Sequence, residues 1–196
     1  MRNAVKTLCS LIAAISAVLL VASGCAGSDE STAGDSASHW LSEYGLDGLD
    51  GREIIARLDA MPIADRPDDL MASVKTDALV LSGAGGKEAS LDLPDDEFYV
   101  SIAPYVAKTH DCYFHSLTTC VGELGNEDIE LTITNAADGA VLVDDVVRTN
   151  DNGFAGFWLP RDIDANLTVT QNGRTATIPI STRDGDPTCI TTAQLS

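Results

Sequence analysis

Gly153–Ile180 reads GFAGFWLPRDIDANLTVTQNGRTATIPI, and this stretch decides the fold. Two of its segments, Asn166–Gln171 and Thr175–Ile180, alternate apolar with polar residues, which is the pattern of half-buried strands. Asn172-Gly173 joins them, and this dipeptide favours a type I′ hairpin turn. The aromatic segment Phe154–Leu159 precedes them as a further candidate strand. The stretch therefore predicts antiparallel β-structure.

Candidate strands recur on both sides of this stretch, at spacings of about ten residues with turn signals between them. They are Phe98–Val106, Ile129–Asn135, Ala140–Arg148 and Cys189–Gln194. An aromatic strand, a Leu-Pro turn and a hairpin follow one another in Gly153–Ile180, and this order is similar to that of transthyretin-like and other immunoglobulin-like modules. We therefore expect residues 96–196 to form a small antiparallel β-sandwich.

Residues 39–95 have a mixed pattern that predicts a small α/β N-terminal domain. Asp50 and Glu53 are spaced as a capping box at the start of a helix. The apolar residues on one face of that helix are Ile54, Ile55, Leu58 and Met61. Val74–Leu81 predicts a strand that returns through a glycine-rich turn into Lys87–Leu93. The expected fold class is therefore α+β, with a small helical and β N-terminal domain followed by the sandwich.

Residues 1–24 have the pattern of an export signal of the lipoprotein type. Arg2 and Lys6 precede an apolar run that suits the core of a secretory signal and is short for a membrane span. The run ends in VASGC, which resembles a bacterial lipobox and predicts lipidation of Cys25. Residues 25–38 are small, polar and acidic, and predict a disordered spacer. We expect a protein of the cell envelope that is anchored by its lipid and faces the periplasm or the exterior.

The charge of the chain excludes one class of partner. It has 12 Lys and Arg residues against 30 Asp and Glu residues, and a formal net charge of −18. Such a chain repels polyphosphate, so we expect no binding to nucleic acid. No arrangement of Ser, His and Asp or of paired carboxylates points to hydrolysis, and no CxxC motif on a βαβ pattern points to a thiol–disulfide oxidoreductase.

Three cysteines remain for the folded part of the exported protein. Of the five in the sequence, Cys9 leaves with the signal and Cys25 takes the lipid. The others are Cys112, Cys120 and Cys189. Structural cysteines in an oxidising compartment normally come in pairs. Three suit either one disulfide with a reactive thiol or a metal site with three thiolates.

Thr109–Cys120 reads THDCYFHSLTTC and concentrates two of these cysteines with His110 and His115. Thiolate and imidazole together are ligands that suit Cu(I) or Zn(II). Cys112 and His115 can bind one ion across a turn, and Cys189 can reach it from an adjacent strand. The residues alone leave three alternatives open. These are a Cys112–Cys120 disulfide in a binding or adhesion module without metal, a structural zinc site, and a redox-active copper site.

The segment Phe98–Leu124, FYVSIAPYVAKTHDCYFHSLTTCVGEL, resembles the CueP family of bacterial cell-envelope copper-binding proteins. Three further stretches share the resemblance: LDGLDGREIIARLD at 46–59, GFAGFWLPRDI at 153–163 and DPTCITTAQL at 186–195. The resemblance implies a periplasmic or surface-tethered protein of two domains that binds copper through three cysteines with nearby histidines. The matching positions are Cys112, Cys120, Cys189, His115 and His110.

The thiol chemistry of such a site suggests a mechanism. Two thiolates can give electrons to Cu(II) and close as a disulfide, which leaves Cu(I) on the third thiolate and an imidazole. The site would then be a thiol-dependent Cu(II) reductase as well as a copper store, with zinc as a possible surrogate ion. An outside thiol–disulfide reductase would be needed for each cycle. A recipient cuproenzyme and a second copy of the chain are further expected partners.

Overall fold

A computed structural model of the chain describes residues 40–196. The predicted signal of residues 1–24, the lipidation site Cys25 and the spacer of residues 25–38 lie outside the described residues and stay predictions. Within residues 40–196, no helix is long and apolar enough to cross a membrane.

Helix α1 spans Gly51–Asp59 and begins with the predicted capping box. Glu53 donates its backbone N–H to the Asp50 carboxylate at 2.8 Å, and Asp50 donates its N–H to the Glu53 carboxylate at 2.9 Å. These two bonds satisfy amides that have no partner within the helix. Ile54, Ile55 and Leu58 are buried, as their spacing predicts. The last residue of the helix, Asp59, is also buried.

Ten strands follow along the chain. They are β1 (Met71–Val74), β2 (Ala78–Gly83), β3 (Lys87–Asp92), β4 (Glu97–Ile102), β5 (Asp128–Asn135), β6 (Val141–Arg148), β7 (Ala155–Pro160), β8 (Asp164–Gln171), β9 (Arg174–Ser181) and β10 (Cys189–Ile190). Strands β1, β2 and β3 form one antiparallel sheet. A second sheet has the order β10-β4-β7, with β10 parallel to β4. The third has the order β6-β5-β8-β9 and is antiparallel throughout.

The second and third sheets enclose one hydrophobic core, which confirms the predicted sandwich and the α+β class. Val100 of β4, Leu131 of β5 and Leu167 of β8 are among its fully buried residues. The predicted hairpin joins β8 to β9. Both of its turn residues, Asn172 and Gly173, have positive φ, at 50° and 76°, as a type I′ turn requires.

Strand β4 is buried because it contributes to two cores. Phe98, Val100 and Ile102 point into the sandwich core, whereas Tyr99 points into a second core built on α1 and the first sheet. Alternate residues of a strand face opposite sides, so a strand between two cores is apolar on both. The domain boundary near residue 95 stays a prediction.

Three predicted strands differ from the observed ones. The strand predicted over Val74–Leu81 is two strands, because Lys75 donates its N–H to the carbonyl of Ala78 and closes a turn between β1 and β2. The strand predicted to end at Val106 ends at Ile102, shortly before Pro104, which has no N–H for a ladder. The strand predicted over Cys189–Gln194 has two residues, and an isolated bridge pairs Gln194 with Tyr105.

Candidate metal centre

Four predicted ligands meet at the end of β4. One ligand atom from each of His110, Cys112, Cys120 and Cys189 lies within 4.8 Å of the others. A tetrahedral or trigonal ion with sulfur at about 2.3 Å holds two sulfur atoms about 3.8–4.0 Å apart. The four side chains are therefore close to the spacing that one ion requires. We call them the copper cluster below.

Strand β10 brings Cys189 from the C-terminal end of the chain to this point. The backbone N–H of Cys189 donates to the carbonyl of Tyr113 at 3.1 Å, and β10 pairs with β4 beside it. The hydroxyl of Thr188 donates to the carbonyl of Val74 at 2.7 Å and accepts the backbone N–H of His115 at 3.0 Å. Thr188 thus ties together three segments that are distant in sequence and fixes where Cys189 lies.

A tight turn brings Cys120 back to Cys112. The N–H of Cys120 donates to the carbonyl of Ser116 at 3.0 Å, and the N–H of Ser116 donates to the Cys120 sulfur at 3.4 Å. The sulfur atoms of Cys112 and Cys120 lie 3.5 Å apart, and both cysteines are free thiols in this structure. Cys112 is half-buried, whereas Cys120 and Cys189 are buried. Cys112 is therefore the most accessible of the three.

The pKa values of the three thiols are shifted in different directions. The hydrogen bond to Cys120 raises the pKa of Cys112 to about 11. Donation from Cys112 and from Cys189 lowers the pKa of Cys120 below its ordinary value. Hydrogen bonds to the other two sulfurs, together with burial, raise the pKa of Cys189. Of the three thiols, Cys120 is therefore the one whose surroundings favour the thiolate.

His110 presents an unpaired ring nitrogen at the cluster. Its Nε2 atom is buried and has no hydrogen-bond partner among the described residues. The loop that precedes it is held by Glu123, whose carboxylate accepts three successive backbone N–H groups, those of Val106, Ala107 and Lys108, at 2.7, 2.8 and 3.0 Å. A buried polar atom without a partner is uncommon in folded proteins. An unpaired imidazole nitrogen is a candidate metal ligand.

His115, the other predicted histidine ligand, lies behind the cluster and is fully buried. Its Nε2–H donates to Oδ1 of Asp59 at 3.2 Å, and its Nδ1 lies 3.8 Å from the Cys189 sulfur. Burial alone would lower the pKa of His115, but the hydrogen bonds and charges of Asp59 and Cys120 raise it. Direct coordination of copper by His115 stays a prediction.

Phe154 forms the apolar wall between the two histidines. Its ring centroid lies 4.5 Å from that of His115 and 6.2 Å from that of His110. It packs in one small core with Ala103, Cys120 and Cys189. The preceding Gly153 has a φ of 79°, and an added Cβ would come within 2.8 Å of Gly122. Only glycine allows the backbone of residue 153 to come this close to Gly122. This approach places Phe154 against the cluster and shields the inner side of the cluster from water.

Two clefts reach the cluster from the surface. One of about 580 Å³ is lined by His110, Cys112 and Cys120, and another of about 430 Å³ is lined by Cys112 and Cys189. Tyr113 lines both of them and is itself 54% exposed. An ion or a small thiol can therefore approach Cys112 from either side.

Several residues that surround the candidate site carry no signal of this position in the sequence. Asp59 reads as the polar end of an amphipathic helix, and Asn152 reads as one residue of a polar turn. Tyr99 and Phe154 read as core aromatics of strands. Their relation to the cluster comes from contacts between residues separated by 34 or more positions, such as Asp59 with Tyr99. Local periodicity does not encode such contacts.

Comparisons with known proteins identify a family for this chain. The family model described as "Periplasmic copper-binding protein CueP" matches residues 53–194, a range that contains all four residues of the copper cluster. The solved structure described as "Crystal Structure of S.CueP" is 37% identical, with a TM-score of 0.76, and the match covers 82% of this chain and 98% of that one. No curated protein sequence matches the chain.

Proposed function

Because the chain belongs to the CueP family of periplasmic copper-binding proteins, we propose that it captures copper in the cell envelope at Cys112, Cys120, Cys189 and His110. The observation that carries this proposal is the convergence of these four ligand atoms within 4.8 Å of one another. Three thiols with one imidazole form a soft ligand set, and soft sulfur ligands select Cu(I). The same ligands also suit Zn(II), which can act as a surrogate ion.

Copper is reduced on this site by its own thiols. Two cysteine thiols and two Cu(II) ions yield one disulfide, two Cu(I) ions and two protons. The sulfur atoms of Cys112 and Cys120 lie 3.5 Å apart, so these two cysteines form the disulfide. Formation of the Cys112–Cys120 disulfide leaves Cys189 and His110 to hold one Cu(I). The second Cu(I) goes to an external acceptor. A thiol–disulfide reductase then restores the two thiols.

The family and the N-terminal sequence support a location in the cell envelope. The family is periplasmic, so the protein is exported. We assign residues 1–24 to the signal, Cys25 to the lipid anchor and residues 25–38 to the spacer that holds the folded part off the membrane. The biological role is copper resistance or the delivery of copper to a cuproenzyme. The protein acts either as a monomer or as a homodimer.

A competition titration tests the copper site. The reduced protein is titrated anaerobically with Cu(I) against a chromophoric Cu(I) chelator. We expect Cys189→Ser and His110→Ala to weaken Cu(I) binding by roughly 100-fold and tenfold respectively, within the range known for changes at metal centres. His39→Ala is the matched control, because His39 adjoins the predicted spacer, and it leaves the affinity unchanged.

Unchanged affinity in Cys189→Ser would overturn the proposed ligand set. Failure of the wild-type protein to compete for Cu(I) would overturn the copper site itself. It would favour the alternative of a disulfide-stapled β-sandwich that serves binding or adhesion without a metal.

A further inference from the structure

Asp59 is a buried carboxylate that accepts three hydrogen bonds. Asp59 is the last residue of α1 and is 4% exposed. Oδ1 accepts from Nε2–H of His115 at 3.2 Å and from Nδ2–H of Asn152 at 2.9 Å. Oδ2 accepts from the hydroxyl of Tyr99 at 2.8 Å. Among residues 40–196 its one ion-pair partner within 4 Å is His115.

The ring of His115 is held by several contacts. Its backbone is tied to β1, because Val74 donates its N–H to the carbonyl of His115 at 2.8 Å. One ring face contacts Phe154, and the Nε2 edge is held by Asp59. The Nδ1 edge is not held by these contacts and lies 3.8 Å from the Cys189 sulfur. Cys120 is a second sulfur neighbour of the ring. The ring therefore joins a carboxylate on the helix to a sulfur of the copper cluster.

We infer that Asp59 is a positioning residue of the copper cluster, which acts through His115 to hold the Cys189 sulfur toward the other ligands. This inference rests on the proposed function. A carboxylate accepts only, so the Nε2 proton of His115 stays on the Asp59 side whether the ring is neutral or charged. Nδ1 then either accepts the S–H of Cys189 or donates to its thiolate. In both states the contact favours one rotamer of Cys189.

A purely structural role accounts poorly for this arrangement. Removing a carboxylate from water is costly, and apolar residues of similar volume usually stabilise a core at least as well. Around Asp59, α1 and β4 form an apolar core in which Ile55, Leu58 and Tyr99 are almost completely buried. A polar chain that runs from this core to a metal ligand instead resembles the supporting contacts that orient ligands in metal sites.

The number of sulfur atoms bound to copper tests the inference. The full chain and its variants are loaded anaerobically with one equivalent of Cu(I), and X-ray absorption counts the sulfur ligands. We expect three in the wild type and two in Asp59→Ala, with a 10–100-fold loss of Cu(I) affinity in that variant. Asp59→Asn rescues both values, because its amide oxygen still accepts from His115 and Asn152.

Tyr99→Phe is the matched control. It removes one hydrogen bond from the same carboxylate but leaves the link to His115, so three sulfur ligands and the wild-type affinity are expected. Should Asp59→Ala fail to fold, Asp59→Leu fills the space without an acceptor, and two sulfur ligands are expected there.

Two results would overturn the inference. One is three sulfur ligands with wild-type affinity in the variants that lack an acceptor at residue 59. The other is an equal loss of sulfur ligands and of Cu(I) affinity in Tyr99→Phe, which would mean that the substitutions only loosen the core. Absence of sulfur-bound Cu(I) in the wild type is a different result, because it contradicts the proposed function.

Discussion

The sulfur atoms of Cys112 and Cys120 lie 3.5 Å apart across a turn that the backbone of Ser116 closes. This distance is in the range of a contact between two sulfur atoms, and well beyond the S–S bond of about 2.05 Å. Oxidation requires only a short approach of side chains that already touch. Under the proposed function, Cys112 and Cys120 are therefore the redox pair and Cys189 is the ligand that remains.

The first prediction concerns which cysteines pair. After treatment of the reduced protein with excess Cu(II), we expect peptide mapping by mass spectrometry to find a Cys112–Cys120 disulfide. Cys189 is expected to be alkylated once the protein is unfolded without a reductant. A disulfide that includes Cys189 as the main product would contradict this assignment. Cys189→Ser is the control, and it still forms the Cys112–Cys120 bond.

The second prediction concerns the pH dependence of the thiolate. The pKa of Cys120 is lowered from its ordinary value of 9.0, so its thiolate forms at a lower pH than that of an ordinary cysteine, whereas the pKa of Cys112 is raised to about 11. We expect the ultraviolet thiolate absorption of the wild type to exceed that of Cys120→Ser between pH 6 and pH 8, by roughly one thiolate per protein. A difference that develops only around pH 9 would show that Cys120 titrates as an ordinary thiol.

The third prediction concerns the apolar wall. Phe154 is fully buried, so Phe154→Ala leaves a cavity, and we expect the free energy of unfolding to fall by about 3–5 kcal/mol. Urea denaturation of the reduced, copper-free protein measures it. Val146, at 63% exposed, provides the control, and Val146→Ala is expected to change the stability by less than about 1 kcal/mol. A similar loss in both variants would mean that Phe154 has no special packing role.

The sequence predicts the sandwich well because its signals are local. Asn172-Gly173 determines a hairpin through the φ values that each residue tolerates, and Asp50 with Glu53 determines a helix start. The errors lie where local pattern is weak. The alternation of Val74–Leu81 continues through a turn, and Cys189–Gln194 has strand-like residues but few backbone partners.

The copper cluster could be predicted in its residue types but not in its geometry. Cysteines and histidines near one another in sequence indicate a metal site, and Cys112, Cys120 and His110 do meet. Sequence spacing favoured His115 over His110 as the ligand, because His115 is three residues from Cys112. The structure places Nε2 of His115 against Asp59, 56 residues away, a contact that only the assembled fold creates. Coordination of copper by His115 stays a prediction.

The account depends most on the reduction of copper by the cluster. The most direct test adds one equivalent of Cu(II) to the fully reduced protein without oxygen, and then counts thiols and bound Cu(I) in the same sample. We predict the loss of one thiol per copper added, because the formation of each disulfide from two thiols reduces two Cu(II) ions. The copper is recovered as Cu(I). An unchanged thiol count with Cu(II) still bound would contradict the reductive mechanism and leave a copper carrier without redox chemistry.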